Sequence, residues 1–160
     1  MKGILVYDTS YGNTKKIAET ITRTLRDSGI EIDLLYVKDI KKLHPADYSF
    51  FILGSPTKFG TMSFAVKLFL GKVKSEEWTG KPFAAFDTEN PENMEKNEWS
   101  AAEKIAERLT QRKMNQLLPV LKAAVHGMKG PLVEGEIEKA EEYARQLASK
   151  VKESKIHSPQ

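Results

Sequence analysis

A doubly wound α/β domain is what this sequence predicts: a five-stranded parallel sheet covered by helices on both faces. Three observations carry that reading. Short apolar runs alternate with helix-periodic segments along the whole chain, the runs are continuously apolar, and Gly and Pro stand at the junctions. Strands that alternate apolar with polar residues leave one sheet face in water, whereas strands apolar throughout belong to a sheet buried on both sides.

The elements follow in order. Gly3-Ile4-Leu5-Val6-Tyr7 reads as the first strand. Ile17, Ala18, Ile21 and Leu25 share one face of a helix that begins after Gly12 and is stopped by Gly29. Ile30 to Val37 is a second β-rich run, and Ser49-Phe50-Phe51-Ile52-Leu53 a third, closed by Gly54-Ser55-Pro56. Phe64 to Leu70 predicts a compact helix ending at Gly71, and Lys81-Pro82 leads into a fourth strand, Phe83-Ala84-Ala85-Phe86. Ser100 followed by Glu103 has capping-box spacing, at the head of a helix whose apolar face is Ala101, Ala102, Ile105, Ala106 and Leu109. A fifth strand is expected within Leu117 to Val125. Pro119 cannot donate to a ladder, which puts that strand at a sheet edge. Ile137, Ala140, Ala144, Leu147, Ala148 and Val151 mark the last helix, so residues 1–152 form the domain and 153–160 a frayed tail.

With 160 residues at 40% hydrophobic, the chain is long enough for one sizeable core and short for two. Its longest apolar stretches fall far below the roughly 20 residues that span a bilayer, and Met1-Lys2-Gly3 runs directly into a strand, so cytoplasmic residence is expected. The absence of Cys removes disulfides, thiolate metal sites, iron–sulfur ligation and Cys nucleophiles; redox chemistry has to come from a cofactor. Lys and Arg number 25 against 22 Asp and Glu, and the densest basic clusters, Lys15-Lys16 and Lys41-Lys42, are dipeptides, which argues against a nucleic-acid partner. His44, His126 and His157 do not cluster, so no metal site is expected.

Ligands of open parallel sheets sit beyond the carboxyl ends of the strands, which directs attention to three loops. Thr9-Ser10-Tyr11-Gly12-Asn13-Thr14 combines hydroxyls, an amide and the backbone N–H groups of a helix start, a donor set suited to a monophosphate. The plainer alternative is a hydroxyl-rich helix cap. The dinucleotide pattern G-x-G-x-x-G and the Walker pattern are both missing, and Gly54-Ser55 stands where a phospho-acceptor domain needs Asp. In the second loop, Pro56-Thr57-Lys58-Phe59-Gly60, Phe59 offers a stacking face and Gly60 a close backbone approach; alternatively Phe59 folds back into the core. In the third, Asp87-Thr88-Glu89-Asn90, the backbone could meet the polar edge of a heterocycle, or the segment is a solvated acidic loop.

These loops carry a family resemblance. Thr9 to Thr14 is similar to the flavodoxin phosphate fingerprint [ST]-x-T-G-x-T, with Tyr11 where the family usually has Thr, and Gly54 to Gly60 resembles the family's second flavin loop. The resemblance runs from Met1 to about Val151 and implies a flavodoxin-like sheet of order 2-1-3-4-5 and non-covalently bound FMN. By that analogy Thr9, Ser10, Tyr11, Gly12, Asn13 and Thr14 hold the phosphate. Pro56, Thr57, Lys58, Phe59 and Gly60 flank the flavin, with Phe59 on one ring face and Gly60 facing N5. Asp87, Thr88, Glu89 and Asn90 meet the pyrimidine edge. The third loop departs from the pattern in lacking an aromatic, and the chain is slightly basic where the family is usually acidic. Lys58 would favour a reduced, anionic ring, which Asp87, Glu89 and Glu92 would oppose.

The implied function is that of a monomeric electron carrier with no catalytic side chain, exchanging low-potential electrons with transient partner proteins, a reductase or ferredoxin-linked enzymes. The alternative is an NAD(P)H:quinone oxidoreductase, whose second loop also reads G-[ST]-P-T-x-F-G and whose likeness the Tyr11-Gly12 pair strengthens. Against it, the third loop holds no His or Tyr to act on a quinone.

Overall fold

The computed structural model describes residues 1–96 and 99–157. Five strand positions lie side by side in the order β2-β1-β3-β4-β5, all parallel, as the sequence predicts. The inner strands are β1 (Lys2–Tyr7), β3 (Phe50–Pro56) and β4 (Pro82–Glu89), with β2 (Glu31–Tyr36) at one edge. The other edge is split. β5 (Asn115–Gln116) and β6 (Leu121–Ala124) both pair with β4, and Pro119 occupies the gap between them, where no donor is needed.

One face is covered by α1 (Asn13–Asp27) and α6 (Glu136–His157), the other by α2 (Phe64–Leu70), α3 (Ser75–Trp78) and α5 (Ala101–Gln111). A short α4 (Pro91–Lys96) follows β4. Successive residues of the inner strands feed opposite cores: Leu5, Ile52 and Phe86 pack under α1 and α6, while Ile4, Phe51 and Phe83 pack under α2 and α5. That division explains the continuously apolar runs, because every side chain of such a strand meets a helix. Phe51 also stacks obliquely on Trp78 and Phe69, at 5.3 and 6.0 Å between ring centroids.

Several elements differ from expectation: β5 lies at Asn115–Gln116, ahead of the Leu117 to Val125 span in which the fifth strand is expected, and only β6 falls within it. β4 runs three residues past Phe86, so Asp87, Thr88 and Glu89 are strand residues and buried, which overturns the solvated-loop alternative. α3 and α4 are too short for a periodic signal. α6 continues through His157, beyond the Glu153 at which fraying is expected, and residues 158–160 of that tail lie outside the described residues.

Two glycines are required by space. Gly3 is the register partner of Phe50, and Gly54 of Phe86. A Cβ on Gly3 would lie 2.1 Å from Phe50 Cζ, and one on Gly54 would lie 2.0 Å from Phe86 Cζ. Each ring lies flat across its glycine, deep in the sheet. Gly54→Ala forces the Phe86 ring off its rotamer and should cost about 1–3 kcal/mol in urea unfolding. An unchanged unfolding midpoint would show that the core can shift the ring without loss.

Candidate functional site

The sheet order reverses between β1 and β3, since the chain leaves β1 toward β2 on one side and later builds β3 and β4 on the other. Crossovers diverge there and leave a crevice at the carboxyl ends of the strands. A cavity of about 630 Å³ occupies that position. Thr9, Ser10, Tyr11, Asn13 and Thr14 line it from the first loop, Pro56, Thr57, Lys58 and Phe59 from the second, and Thr88, Glu89 and Asn90 from the end of β4. The fold therefore brings the three predicted loops together. Gly12, Gly60 and Asp87 are not among the lining residues.

The first loop is shaped by its own side chains. Asp8 Oδ1 accepts from Thr9 N–H at 2.9 Å, and Thr9 Oγ1 accepts from Gly12 N–H at 3.0 Å. Gly12 sits at φ 88°, a left-handed conformation costly for other residues, and turns the chain into α1. Asn13 Nδ2 donates to the Lys129 carbonyl at 3.0 Å, and the Thr14 and Thr88 hydroxyls meet at 2.8 Å. Thr9, Asn13 and Thr14 thus brace the loop. Among the described residues no side chain accepts from the first N–H groups of α1, and its first turn holds no acidic residue. A 15-residue helix begins at the cavity with its donors open.

The neighbouring helix shows what a filled helix start looks like. At the head of α5, Thr57 Oγ1 accepts from Ala101 N–H at 3.1 Å and Asp87 Oδ2 from Ala102 N–H at 2.9 Å. The predicted capping box does not form. Ser100 makes no side-chain cap bond, and Glu103 pairs with Lys122, because Thr57 and Asp87 already occupy the helix start. Asp87 leaves the site for the same reason: β4 extends to Glu89, and strand alternation turns Asp87 toward α5 and Thr88 toward α1. Full burial pushes the Asp87 carboxyl above its ordinary range, opposed by the Ser100 hydroxyl, the Ala102 amide, Lys122 and the Thr57 hydroxyl.

The second loop is a two-residue hairpin. Lys58 and Thr61 exchange backbone hydrogen bonds of 2.8 and 3.1 Å, with Phe59 at φ 52° and Gly60 at φ 74° between them. Paired positive φ values define the tight turn that suits Gly or Asn. Phe59 pays a conformational cost there and is fully exposed, which overturns the alternative that it folds into the core.

Sequence reasoning missed a fourth wall. Val125, Gly127 and Met128, beyond β6, line the cavity together with Asn93 and Lys96 of α4. Tyr11 Oη reaches Met128 Sδ at 3.7 Å, and Lys129 Nζ stands 6.0 Å from the centre of the Tyr11 ring. The rule that directed attention to strands one, three and four applies equally to the last strand, and Gly127 with Gly130-Pro131 was the available signal. Among ionisable residues the cavity is lined by Tyr11, Lys58, Lys96 and Glu89, so Glu92 stands outside it with Asp87.

The family model for the flavodoxin domain matches residues 4–132. The chain belongs to the flavodoxin family. It is 34% identical over 91 residues to a flavodoxin of Aquifex aeolicus (strain VF5), a stretch covering 54% of this chain and 49% of that protein. It is also 34% identical over 88 residues to protoporphyrinogen IX dehydrogenase [quinone] of Leishmania major, covering 53% of this chain and 37% of the relative. The chain thus spans about half the length of the first curated relative and less of the second. A flavodoxin from the domain Archaea superimposes with a TM-score of 0.78 at 24% identity, over 95% of this chain and 99% of that one. Membership implies a flavin cofactor, and among the described residues no helix is long and apolar enough to cross a membrane.

The Asp87 environment has a pH signature. Above the ordinary carboxylate value of 3.8 the unfolded chain releases its proton while the folded protein still holds it, so this group removes stability as pH rises. Asp87→Asn keeps an oxygen for Ala102 N–H and abolishes that titration. Urea unfolding at a series of pH values from about 4 to about 7 should show the variant gaining on the parent as pH increases. A gap that stays constant across the range would assign Asp87 a structural role without a titration penalty.

Proposed function

We propose that the protein binds FMN non-covalently in this cavity and carries electrons between partner proteins. The observation that carries the proposal is the uncapped start of α1, whose open donors face a cavity that bears the exposed, strained Phe59 on its second loop. A phosphate dianion satisfies what α5 satisfies with Asp87 and Thr57. When bound, the flavin supplies the one- or two-electron chemistry.

The residues of this chain have binding and orienting roles. The backbone donors of Ser10, Tyr11, Asn13 and Thr14 and the Ser10 hydroxyl would take the phosphate, with Gly12 supplying the turn and the Thr14 hydroxyl tying the loop to Thr88. Thr9 and Asn13 hold the loop in shape through Gly12 and Lys129. Phe59 would offer its ring as a stacking face for the flavin, with Pro56 and Thr57 at the base of that loop, and Gly60 would allow the backbone a close approach. Thr88, Glu89 and Asn90 line the cavity from the end of β4 and would meet the pyrimidine edge. Asp87 acts through α5, where it stiffens the wall. Lys58 and Lys96 of the lining would favour added negative charge on a bound group, and the buried Glu89 would oppose it. Cytoplasmic residence, transient redox partners and a monomeric state belong to this reading.

FMN and riboflavin separate the phosphate from the ring. Calorimetric titration should give FMN a dissociation constant at least about 100-fold below that of riboflavin, the effect of two or three charge-assisted hydrogen bonds. Gly12→Val and Thr14→Leu should abolish that preference. Equal affinities for FMN and riboflavin would refute the phosphate assignment.

The second reading, an NAD(P)H:quinone oxidoreductase, draws support from the likeness to the Leishmania major protein and from the apolar Phe59, Val125 and Met128 around the cavity. Purified protein loaded with FMN and given NAD(P)H with a soluble quinone decides between them. A carrier leaves NAD(P)H absorbance unchanged on the time scale of turnover, and steady oxidation would establish the enzyme.

A further inference from the structure

One face of the molecule has a charge and shape that the cofactor cavity does not use. Phe64 and Leu68, one helical turn apart on α2, are 74% and 56% exposed. They form an apolar ridge, and a groove runs along each side. The first groove, about 480 Å³, lies between α2, α3 and the turn at Val37–Asp39; Ile40, Leu43, Ala65, Phe69 and Val73 contribute its apolar lining. Its cations are Lys38, Lys41, Lys42, Lys72 and Lys74, with Glu77 the acidic residue of the lining. The second groove lies between α2 and α5 and carries Lys67, Lys104, Arg108 and Arg112 with Glu107.

Together the two grooves hold nine of the chain's 25 Lys and Arg and two of its 22 Asp and Glu, so the remainder of the sequence is net acidic. Among the described residues none of the nine forms an ion pair with a carboxylate. Arg112 is engaged, its guanidinium donating to the Val73, Arg108 and Leu70 carbonyls, which leaves eight cations around an exposed apolar centre, the anatomy of a protein interface with an apolar core and a charged rim. The concavity decides against a membrane. A lipid surface would meet Phe64 and Leu68 but leave the first groove unfilled, whereas a protruding side chain of a partner can enter it. Nucleic acid would leave the apolar ridge and lining without complement.

We propose that the Phe64–Leu68 ridge and its two basic grooves are the docking surface for an acidic protein, one that presents carboxylates around an exposed apolar side chain. The surface adjoins the cavity: Thr61, which lines the second groove, closes the same hairpin that holds Phe59 at the cavity. A partner seated on α2 reaches that hairpin. The inference rests on charge and shape alone and holds whether or not FMN is the ligand.

The test uses a synthetic helical peptide of about 16 residues with two Leu one turn apart, flanked by Glu and Asp. It is titrated into the isotopically labelled full chain and followed by amide shifts. The expected footprint covers residues 38–43, 64–74 and 104–112. Affinity should fall at least about tenfold between about 20 and about 200 mM salt, and by about tenfold in the Lys41→Glu/Lys72→Glu variant. Leu68→Ser in the protein, or Leu→Ser in the peptide, should weaken binding under the same conditions, since the acidic residues alone do not fill the ridge. A footprint elsewhere, insensitivity to Leu68→Ser, or tighter binding to anionic phosphatidylglycerol vesicles or to a single-stranded RNA than to the peptide would overturn the proposal. Unchanged thermal unfolding of each variant keeps these readings separate from misfolding.

Discussion

Backbone donors at a helix start need acceptors, and the architecture at the carboxyl end of this sheet follows from how two helices meet that need. α5 is satisfied from within, by the Thr57 hydroxyl and the Asp87 carboxyl delivered from β3's loop and β4. α1 is not. Its N-cap is a glycine in a left-handed turn, and the nearby side chains that could have capped it are committed elsewhere: Thr9 to Gly12, Asn13 to Lys129, Thr14 to Thr88. The same stretch that reads as a hydroxyl-rich cap therefore acts as scaffolding around an open helix end. An internal carboxylate closes one helix, and an anion from outside has room at the other.

The inner strands were legible because burial on both faces imposes an uninterrupted apolar run, and Phe50 to Leu53 could hardly belong to anything else, whereas the edge strand β5, two exposed polar residues, carried no such signal. The helices α1, α5 and α6 were legible from their periodicity. What escaped had a physical reason in each case. β4 continues beyond Phe86 through Asp87, Thr88 and Glu89, whose polarity reads as loop because sequence alone does not reveal that α5 supplies a partner for Asp87. The Ser100–Glu103 spacing reads as a capping box, yet tertiary acceptors reached the helix start first. The candidate site was read in three walls of four. The last wall, at Val125 to Met128, was missed although Pro119 had already placed its strand at the sheet edge, next to the end of β4.

Phe59 illustrates the tension between folding and function. A large aromatic in a left-handed turn, with its ring in water, contributes nothing to the core and adds strain that Asn or Gly would relieve. Such a residue makes sense when its surroundings include a ligand. The second loop is held rigidly enough to tolerate it: the Lys58–Thr61 bonds close the hairpin, Ser55 Oγ accepts from Ser63 N–H at 2.9 Å, and Ser63 in turn caps α2. The ring is presented by a stiff support rather than by a flexible tip.

That support also joins the two surfaces of the molecule. Ser63 ends the hairpin segment and begins α2, so whatever fixes Phe59 also fixes Phe64 and Leu68 relative to the cavity. A partner docking on α2 would bear on a helix whose N-cap is hydrogen-bonded, through Ser55, to the carboxyl end of β3. On the proposed electron-carrying role, a docked protein would need a short, constant separation from the cavity more than a large interface. The near-neutral net charge of +3 hides a division into a basic α2 face and a net acidic remainder, and on the proposed docking that division would orient an acidic partner before contact, bringing it to the side where the Lys58–Thr61 hairpin leads to the cavity.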